Sequence, residues 1–514
     1  MIDVKNLTIS FNGVCAVENV SFSIEDGEIV GVVGESGSGK SVTALTMMGL
    51  VSDSAVVESG SITFDQKVIV EAGKKRDDSL LRQYQGSRMS MVFQEPMTSL
   101  NPTMRVGKQV EEVLRLHTDL KGDVAKERIV DIFKEVGLKN PEELYSKYPH
   151  ELSGGMRQRV MIAMALVLEP QLIIADEPTT ALDVTIQAQI IELLKEINER
   201  HHNSMMFITH DLNLARNLAS KLIVMHNGRI VETGTPEEIF TSPKKDYTKM
   251  LISAVPQRKR LQYSKSLGAV DEKREEVLAV RDLNVYYKEG NHLFSAKRKN
   301  QKHAVKNVDF SMYKGEILGL VGESGCGKTS LSRAIVGLNN NYTGQIQHFT
   351  ERPQMIFQDP YSSLNPAKTV GWLLEEPLRV RGERGGTLKE AAVEMLRKVG
   401  LNENFYNRRP SELSGGQRQR ISIGQALITR PQFVIADEPV SALDVTIQAQ
   451  IMDLMMELKE DMGLSYLFIS HDINIVYQIS DRIMVMRDGS IVEIGQTHQI
   501  FDAPKDEYTK ILLA

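Results

Sequence analysis

Apolar and polar positions alternate from the start of the chain: Val4, Leu7, Ile9 and Phe11, then Val20, Phe22 and Ile24, closing at Asp26-Gly27. Alternation of this kind predicts strand, turn and strand. A β-rich apolar run at 28–33 then leads into GESGSGKS at 34–41, and SVTALTMMGL behind it carries a helical pattern. The order returns further on, with a strand at 283–287, a turn at Lys314-Gly315, an apolar run at 316–321 and GESGCGKT at 322–329. Each glycine loop therefore stands between a strand and a helix, the context in which such a loop wraps phosphate.

The downstream pattern also occurs twice. Residues 152–190 read LSGGMRQRVMIAMALVLEPQLIIADEPTTALDVTIQAQI and residues 413–451 read LSGGQRQRISIGQALITRPQFVIADEPVSALDVTIQAQI, identical at 27 of 39 positions without a gap. A period this long excludes a solenoid of short repeats and predicts two complete domains of one design. The offset between copies is 276 at Phe11 and Tyr287, 288 at Gly34 and Gly322, 264 at Gln94 and Gln358, and 261 from Leu152 to His210. The second copy thus holds 12 extra residues ahead of its glycine loop, within the basic segment 288–303. The first holds 24 extra between its loop and Gln94, within a sheet edge and EAGKKRDDSLLRQ.

Helix-patterned segments (VGKQVEEVLRL with KERIVDIFKEVGL, and LKEAAVEMLRKVGL) fall between each glutamine and each LSGG and predict a small helical subdomain. After LSGG come a helix, the buried strand QLIIADE, a helix from Ile186, the strand MMFITHD and a hairpin turning on Asn227-Gly228. Its counterpart turns on Asp488-Gly489, and both pairs suit a type I′ turn. Strands alternating with helices predict α/β domains on a largely parallel sheet. The expected domains are 1–255 and 277–514, joined by a polar, flexible stretch at 256–276. At ~3.3–3.6 Å per residue that stretch permits almost any mutual packing.

Composition narrows the class. Of 514 residues, 41% are hydrophobic and 25% charged, as in an ordinary globular protein, and a net charge of −6 gives no reason to expect nucleic acid. Cys15 and Cys326 are the only cysteines, which excludes a disulfide framework or a four-cysteine cluster and suits a reducing cytosol. No apolar run approaches the ~20 residues that span a bilayer, and MIDVKNLTIS lacks the apolar core of a signal peptide. Service at a membrane would therefore need other chains to do the spanning. The basic clusters Arg258, Lys259, Arg260 and Lys297, Arg298, Lys299 read as solvated segments.

Both glycine loops satisfy GxxxxGK[ST]. Gly34, Gly37 and Gly39, like Gly322, Gly325 and Gly327, let successive backbone N–H groups turn inward around phosphates at a helix N-terminus, with Ser36, Ser38, Ser324 and Cys326 completing the loops. Lys40 and Lys328 are placed to reach the β and γ phosphates, and Ser41 and Thr329 to reach magnesium. Asp176 and Asp437 close the strands LIIAD and FVIAD, a position suited to holding magnesium through water. Glu177 and Glu438 follow directly. They are read as general bases or water-orienting residues rather than spare surface acids, since a strand-end pair divides metal binding from water activation. Cys326, in the place of Ser38, reads as a small packing residue, although a thiol beside phosphate-binding amides invites alkylation.

LSGGMRQR and LSGGQRQR, each ahead of LIIADEP or FVIADEP, resemble the signature motif of ATP-binding cassette (ABC) ATPases, and the resemblance covers nearly the whole chain twice. It implies ATP and Mg2+ as ligands, and tandem P-loop domains, each a RecA-like α/β core with a β subdomain and a helical signature subdomain. By the same resemblance Gln94 and Gln358 are Q-loop residues at the magnesium and the membrane partner, and His210 and His471 are switch histidines at the γ phosphate. Asp183 and Asp444 belong to the D-loops, while Phe11 and Tyr287 match the aromatic position that stacks on adenine. The family's cassettes pair head to tail, so Ser153, Gly154 and Gly155 would cap the nucleotide held by Lys328, and Ser414, Gly415, Gly416 and Gln417 the one held by Lys40. Met156 in the place of Gln417 is the visible departure, from which a modest asymmetry is expected between two otherwise complete sites.

QEPMTSLNP at 94–102 and QDPYSSLNP at 358–366, with the tails PKKDYTKMLISAVP and PKDEYTKILLA, resemble the peptide and nickel importer branch of that family. The fused two-cassette form is similar to glutathione and microcin-type peptide importers. This implies an ATPase that powers import of peptides or related small solutes, peripheral on the cytoplasmic face of the cell (inner) membrane. Its implied partners are two separate transmembrane permease subunits and, indirectly, an extracytoplasmic substrate-binding protein, with no nucleic acid. A nickel or metal-chelate importer is the alternative within the branch. A paired-cassette translation factor would show EPTNHLD where this chain has EPTTALD and EPVSALD, and a DNA-repair ATPase would separate glycine loop and LSGG by far more than 118 and 91 residues.

Overall fold

The computed structural model describes residues 1–74, 78–180, 182, 184–254, 274–288, 301–351, 353–441 and 443–513. Its contacts divide it into two compact units, one built chiefly from 1–255 and the other chiefly from 256–514. In the first, six core strands run in the order Arg229–Gly234, Lys221–His226, Ile29–Val33, Ser204–Thr209, Leu172–Asp176 and Met89–Val92. All neighbours are parallel except the outer hairpin. The second repeats this as Ser490–Gln496, Arg482–Arg487, Ile317–Val321, Ser465–Ile469, Phe433–Asp437 and Gln354–Ile356. Every residue of Ile29–Val33, Leu172–Asp176 and Ser204–Thr209 is buried, because helices and a second sheet cover both faces of a parallel sheet.

Register decides what meets at the sheet edge. Val33 lies opposite Thr209, and Asp176 opposite Ile208, so residues 34, 177 and 210 leave the sheet at one end. In the second unit Leu320 and Asp437 both lie opposite Ile469, with the same effect for 322, 438 and 471.

The alternating strands at the start form an antiparallel sheet, Val14–Ile24, Ile2–Phe11, Ala55–Phe64 and Lys67–Glu71 in order. Its inward residues Ile2, Val4, Leu7 and Ile9 share one cluster with Val30, Val32, Ile174 and Ile208 of the core strands. The second unit has Gln301–Tyr313, Glu276–Lys288 and Tyr342–His348. The 24 extra residues of the first copy supply the strand Lys67–Glu71 and the helix Asp78–Tyr84, which have no counterpart among the described residues of the second. Of the basic segment 288–303, residues 289–300 lie outside the described residues, as do both basic clusters. Of the expected joining stretch, 256–273 also lies outside them, and the strand Glu276–Lys288 begins on its last residue.

The helical segments form as expected. Val106–His117 and Gly122–Glu135 turn Val106, Val110, Leu114, Ala125, Ile129, Ile132 and Phe133 onto the helix Gly154–Leu166, and all seven are buried. The second unit packs Val370–Val380, Thr387–Lys398 and Gly415–Leu427 likewise. The shared VGL stops the middle helix in both: Gly137 and Gly400 take φ 71°, and Leu138 and Leu401 N–H return to Phe133 O and Leu396 O. That is the left-handed glycine stop that satisfies a helix's last carbonyls. Among the described residues no helix is long and apolar enough to cross a membrane.

The central strand needs a glycine at its middle. A Cβ on Gly319 would stand 2.2 Å from Val476 Cγ1 and 2.6 Å from Ser480 Oγ, so helix Ile473–Ile479 closes on the sheet only because none is there. Gly319→Ala should cost about 1–3 kcal/mol by overpacking. Urea unfolding followed through Trp372, the single tryptophan and a residue of the same unit, reads this directly. An unchanged midpoint would contradict the close approach.

Candidate nucleotide and catalytic site

Each glycine loop owes its path to backbone that only glycine adopts. Gly34 and Gly322 take φ 151° and 155°, and a Cβ on either would fall 2.2 Å from a carbonyl oxygen, Met225 or Met486. Gly39 and Gly327, at φ 98° and 114°, start the helices Lys40–Met47 and Lys328–Val336, so helix N-termini face each loop. The hairpin turn clamps the loop from the side. Gly228 N–H donates to Ser38 O at 3.1 Å and Gly489 N–H to Cys326 O at 2.9 Å. Asn227 and Asp488 share φ 48°, with the following glycines at 78° and 92°, the two positive angles of a type I′ turn. This second duty of the turns was not apparent from sequence, although their recurrence at the 261 offset of the other site residues was a usable signal.

Lys40 Nζ donates to Gly34 O and Glu35 O, both at 2.8 Å, and Lys328 Nζ to Gly322 O at 2.7 Å and Glu323 O at 2.9 Å. Burial holds the Lys40 ammonium below the usual amine range, against the pull of Glu177 and Asp176. Ser36, Gly37, Ser324 and Gly325 are exposed on the rim, whereas Ser38 and Cys326 are buried. Burial pushes the Cys326 thiol up, which favours the packing role over the alkylation-prone one.

The aligned strand ends bring the acids together with residues far away in sequence. Glu177 Oε2 accepts from Gln94 Nε2 at 2.9 Å and Thr180 Oγ1 at 3.0 Å, and faces His210 Nδ1 at 3.2 Å. Glu438 Oε2 accepts from Gln358 Nε2 at 2.9 Å and faces His471 Nδ1 at 3.1 Å. Both glutamates sit in left-handed backbone, φ 45° and 48°, pinned by N–H bonds to Ile208 O and Ile469 O at 2.9 Å. A glutamate seldom adopts that conformation without a surrounding network that imposes it. Burial pushes the Glu177 carboxyl up, but the bond and charge of His210 together with Thr180 and Lys40 outweigh it and leave the carboxyl below its ordinary value. Burial pulls His210 down, and Glu177 returns it above its ordinary value. Glu438 and His471 repeat the pattern.

The neighbouring aspartates move the other way. Burial raises Asp176, against its bond from Ser41 Oγ at 3.0 Å, and Asp437 is pushed up to about 6 by burial and the adjacent Glu438. Asp437 Oδ1 is buried with no hydrogen-bond partner, while Ser332 Oγ reaches Oδ2 at 3.3 Å. A buried strand-end carboxylate with a spare oxygen, beside a loop hydroxyl, fits a hard divalent cation such as Mg2+. Among the described residues no cluster of three or more His, Cys, Asp or Glu is arranged to hold a metal. Magnesium at a phosphate site takes most of its ligands from phosphate and water. Gln94 and Gln358, expected at the cation, are turned to the glutamates here.

The signature residues begin helices of the helical subdomains. Ser153 caps its helix by accepting Met156 N–H at 3.3 Å; Ser414 accepts Gln417 N–H at 3.4 Å and gives its own N–H to Gln417 Oε1 at 3.0 Å. Methionine cannot complete that reciprocal box, which is the physical content of the Met156 departure. Gly155 and Gly416 allow Ile186 and Ile447 to approach within 2.8 and 2.6 Å of a would-be Cβ, and Gly154 and Gly415 face Leu182 and Leu443. Phe11 and Tyr287 lie at or near strand ends, half-buried against the β subdomain cores. Asp183 lies outside the described residues, and Asp444, half-buried, precedes the helix Val445–Met462.

A phosphate loop, a strand-end Asp-Glu pair and a histidine on a parallel sheet, present twice, define a tandem P-loop nucleotide-binding protein. The ABC transporter family model matches residues 17–180 and 305–441, and the chain belongs to that family. It is an ATPase, with ATP as substrate and Mg2+ as the usual partner ion. A second model, the oligopeptide/dipeptide transporter C-terminal region, matches 231–276. The chain is 42% identical to the glutathione import ATP-binding protein GsiA of Escherichia coli (strain K12), over 99% of this chain and 88% of that one. It is also 42% identical to the peptidoglycan transport ATP-binding protein YejF of Agrobacterium fabrum, over 100% and 96%. Among solved structures, the complex of archaeal ribosomal stalk protein aP1 and ribosome recycling factor aABCE1 matches with a TM-score of 0.63 at 19% identity, covering 96% of this chain and 90% of that one, a likeness of fold alone.

The paired shifts fix a pH window. Glu177, with its folded value depressed, adds stability above its ordinary 4.5 that is lost as pH falls through the folded value. His210, with its folded value raised, adds stability below its ordinary 6.5 that is lost as pH rises through the folded value. The pair therefore contributes in full between those two ordinary values. In nucleotide-free protein, the stability lost by His210→Asn, His471→Asn should be greatest near pH ~5–6 and shrink by pH ~8.5. Thermal unfolding across pH checks this, and a pH-independent loss would contradict it.

Proposed function

We propose that this chain is the ATP-hydrolysing subunit of an importer for peptides or related small solutes. It lies peripherally on the cytoplasmic face of the membrane, with two separate permease subunits and a substrate-binding protein as partners. The observation that carries the reading is the match over the whole chain to an import ATP-binding protein, and the match of 231–276 to a peptide-transporter region supports the substrate class. Residues 1–255 and 277–514 act as the two cassettes, paired head to tail within the chain.

Chemically, each loop holds the phosphates through its N–H groups, and Lys40 or Lys328 leaves its loop carbonyls to meet their charge. Ser41 with Asp176, and Thr329 with Asp437, would hold Mg2+, which neutralises phosphate charge when bound. Glu177 and Glu438 take the proton of the water that attacks the γ phosphorus as its bond to the ADP oxygen breaks. His210 and His471 keep those carboxylates ionised and oriented, and Gln94 and Gln358 tie them to the helical subdomains. Phe11 and Tyr287 stack on adenine. Ser153, Gly154 and Gly155 close over the nucleotide at Lys328, as Ser414, Gly415 and Gly416 with Gln417 do over the one at Lys40.

Glu177→Gln with Glu438→Gln should leave ATP bound while lowering kcat by at least ~10²-fold. Near-normal turnover would remove the general-base assignment. In proteoliposomes carrying the permease subunits, a peptide-loaded binding protein should stimulate ATPase activity. Stimulation by a nickel chelate but by no peptide would refute the substrate class.

A further inference from the structure

Both copies end in a short helix whose role the catalytic description leaves open, Asp246–Ala254 and Glu507–Leu513. Each carries a tyrosine that reaches the glycine loop of its own unit. Glu35 N–H donates to Tyr247 Oη at 3.4 Å, and Glu323 N–H donates to Tyr508 Oη at 3.0 Å. These amides belong to the residue directly after Gly34 and Gly322, where the loop makes its first turn. The same residue's carbonyl is held from the other side by the lysine ammonium, at 2.8 Å in the first loop and 2.9 Å in the second. The phenol and the lysine thus grip one residue at its two ends.

The tyrosines are themselves held in place. Tyr247 stacks on His226 with ring centroids 3.9 Å apart, and Tyr508 lies under the Arg487 guanidinium at 5.0 Å. His226 and Arg487 end the strands that enter the clamping turns, so the ring rests on the same hairpin that holds the loop at Ser38 and Cys326. The segment leading into each helix is tethered as well. Glu232 accepts the N–H groups of Lys244 and Lys245 at 2.8 and 3.1 Å, and Glu493 those of Lys505 and Asp506 at 2.9 and 3.1 Å. Burial, ahead of all other influences, pushes both phenols up to about 12, so each stays a neutral hydroxyl that can accept an amide N–H.

We propose that Tyr247 and Tyr508 are positioning residues for nucleotide binding, their phenolic oxygens fixing the first turn of each glycine loop from the C-terminal helix. In the first unit this gives part of the matched C-terminal region, 231–276, a task at the ATP site. The lysine must exchange its loop carbonyls for phosphate when ATP enters. The phenol then remains to keep the first turn open, so its loss weakens binding rather than chemistry.

The test is Tyr247→Phe with Tyr508→Phe in the full chain, which keeps both rings and their stacking and removes only Oη. KM for ATP should rise about 2- to 10-fold, the range of one net hydrogen bond, with kcat held within about twofold. Equilibrium titration with a fluorescent ATP analogue should weaken by the same factor, while the thermal unfolding midpoint of the nucleotide-free chain falls by no more than the few degrees that one hydrogen bond per unit accounts for. Glu232→Ala with Glu493→Ala, which frees the helices, should reproduce the KM rise. Wild-type KM and analogue affinity in the phenylalanine variant overturn the proposal, as does a fall in kcat at unchanged KM. The inference rests on the glycine loops holding ATP, and Lys40→Ala with Lys328→Ala separates the two failures. If those variants still bind the analogue, the loop assignment fails. If they lose it while the phenylalanine variant binds normally, the tyrosine assignment alone fails.

Discussion

The parallel register of the central strands is the constraint on which the rest depends. Because Val33 lies opposite Thr209 and Asp176 opposite Ile208, the loop at 34, the glutamate at 177 and the histidine at 210 emerge at one edge without any of them being adjacent in sequence. A register slipped by one residue would send the strand-end acid to the opposite face and the site would not assemble. Burial on both faces holds the register, since a slip in Ile29–Val33 or Leu172–Asp176 would tear apart fully buried side chains.

At that edge, chemistry and strain are coupled. The left-handed glutamate backbone costs on the order of 1–3 kcal/mol, yet it appears in both units with the same N–H bond to the neighbouring strand. Two carboxylates side by side would normally share the burden of burial. Here the histidine relieves the glutamate and leaves the aspartate raised, so the two acids diverge in how readily they ionise. A divalent cation held there would relieve the aspartate in turn, so that a base and a metal ligand could occupy consecutive positions.

Much of this was legible in the sequence, for local reasons. Glycine loops and the Asn-Gly and Asp-Gly turns are short-range chemistry, and the internal repeat let each be read twice, whereas the VGL stops read only as the tail of a helical pattern. The Gln94–Glu177–His210 cluster was legible only through family resemblance, because 83 and 33 residues separate its members and spacing is silent on sheet order. Met156 was visible as a departure, but not that it costs Ser153 the reciprocal cap Ser414 enjoys. The tail tyrosines were noticed only as branch markers. A tyrosine in an amphipathic tail looks like packing until the hairpin beneath it brings the phenol to the loop.

The central claim is that one chain carries two competent ATP sites built on Gly34–Ser41 and Gly322–Thr329. The most direct measurement is the number of Mg-ATP molecules bound per full-length chain by equilibrium dialysis with hydrolysis blocked. The account predicts two; a single bound nucleotide, or none, would contradict it.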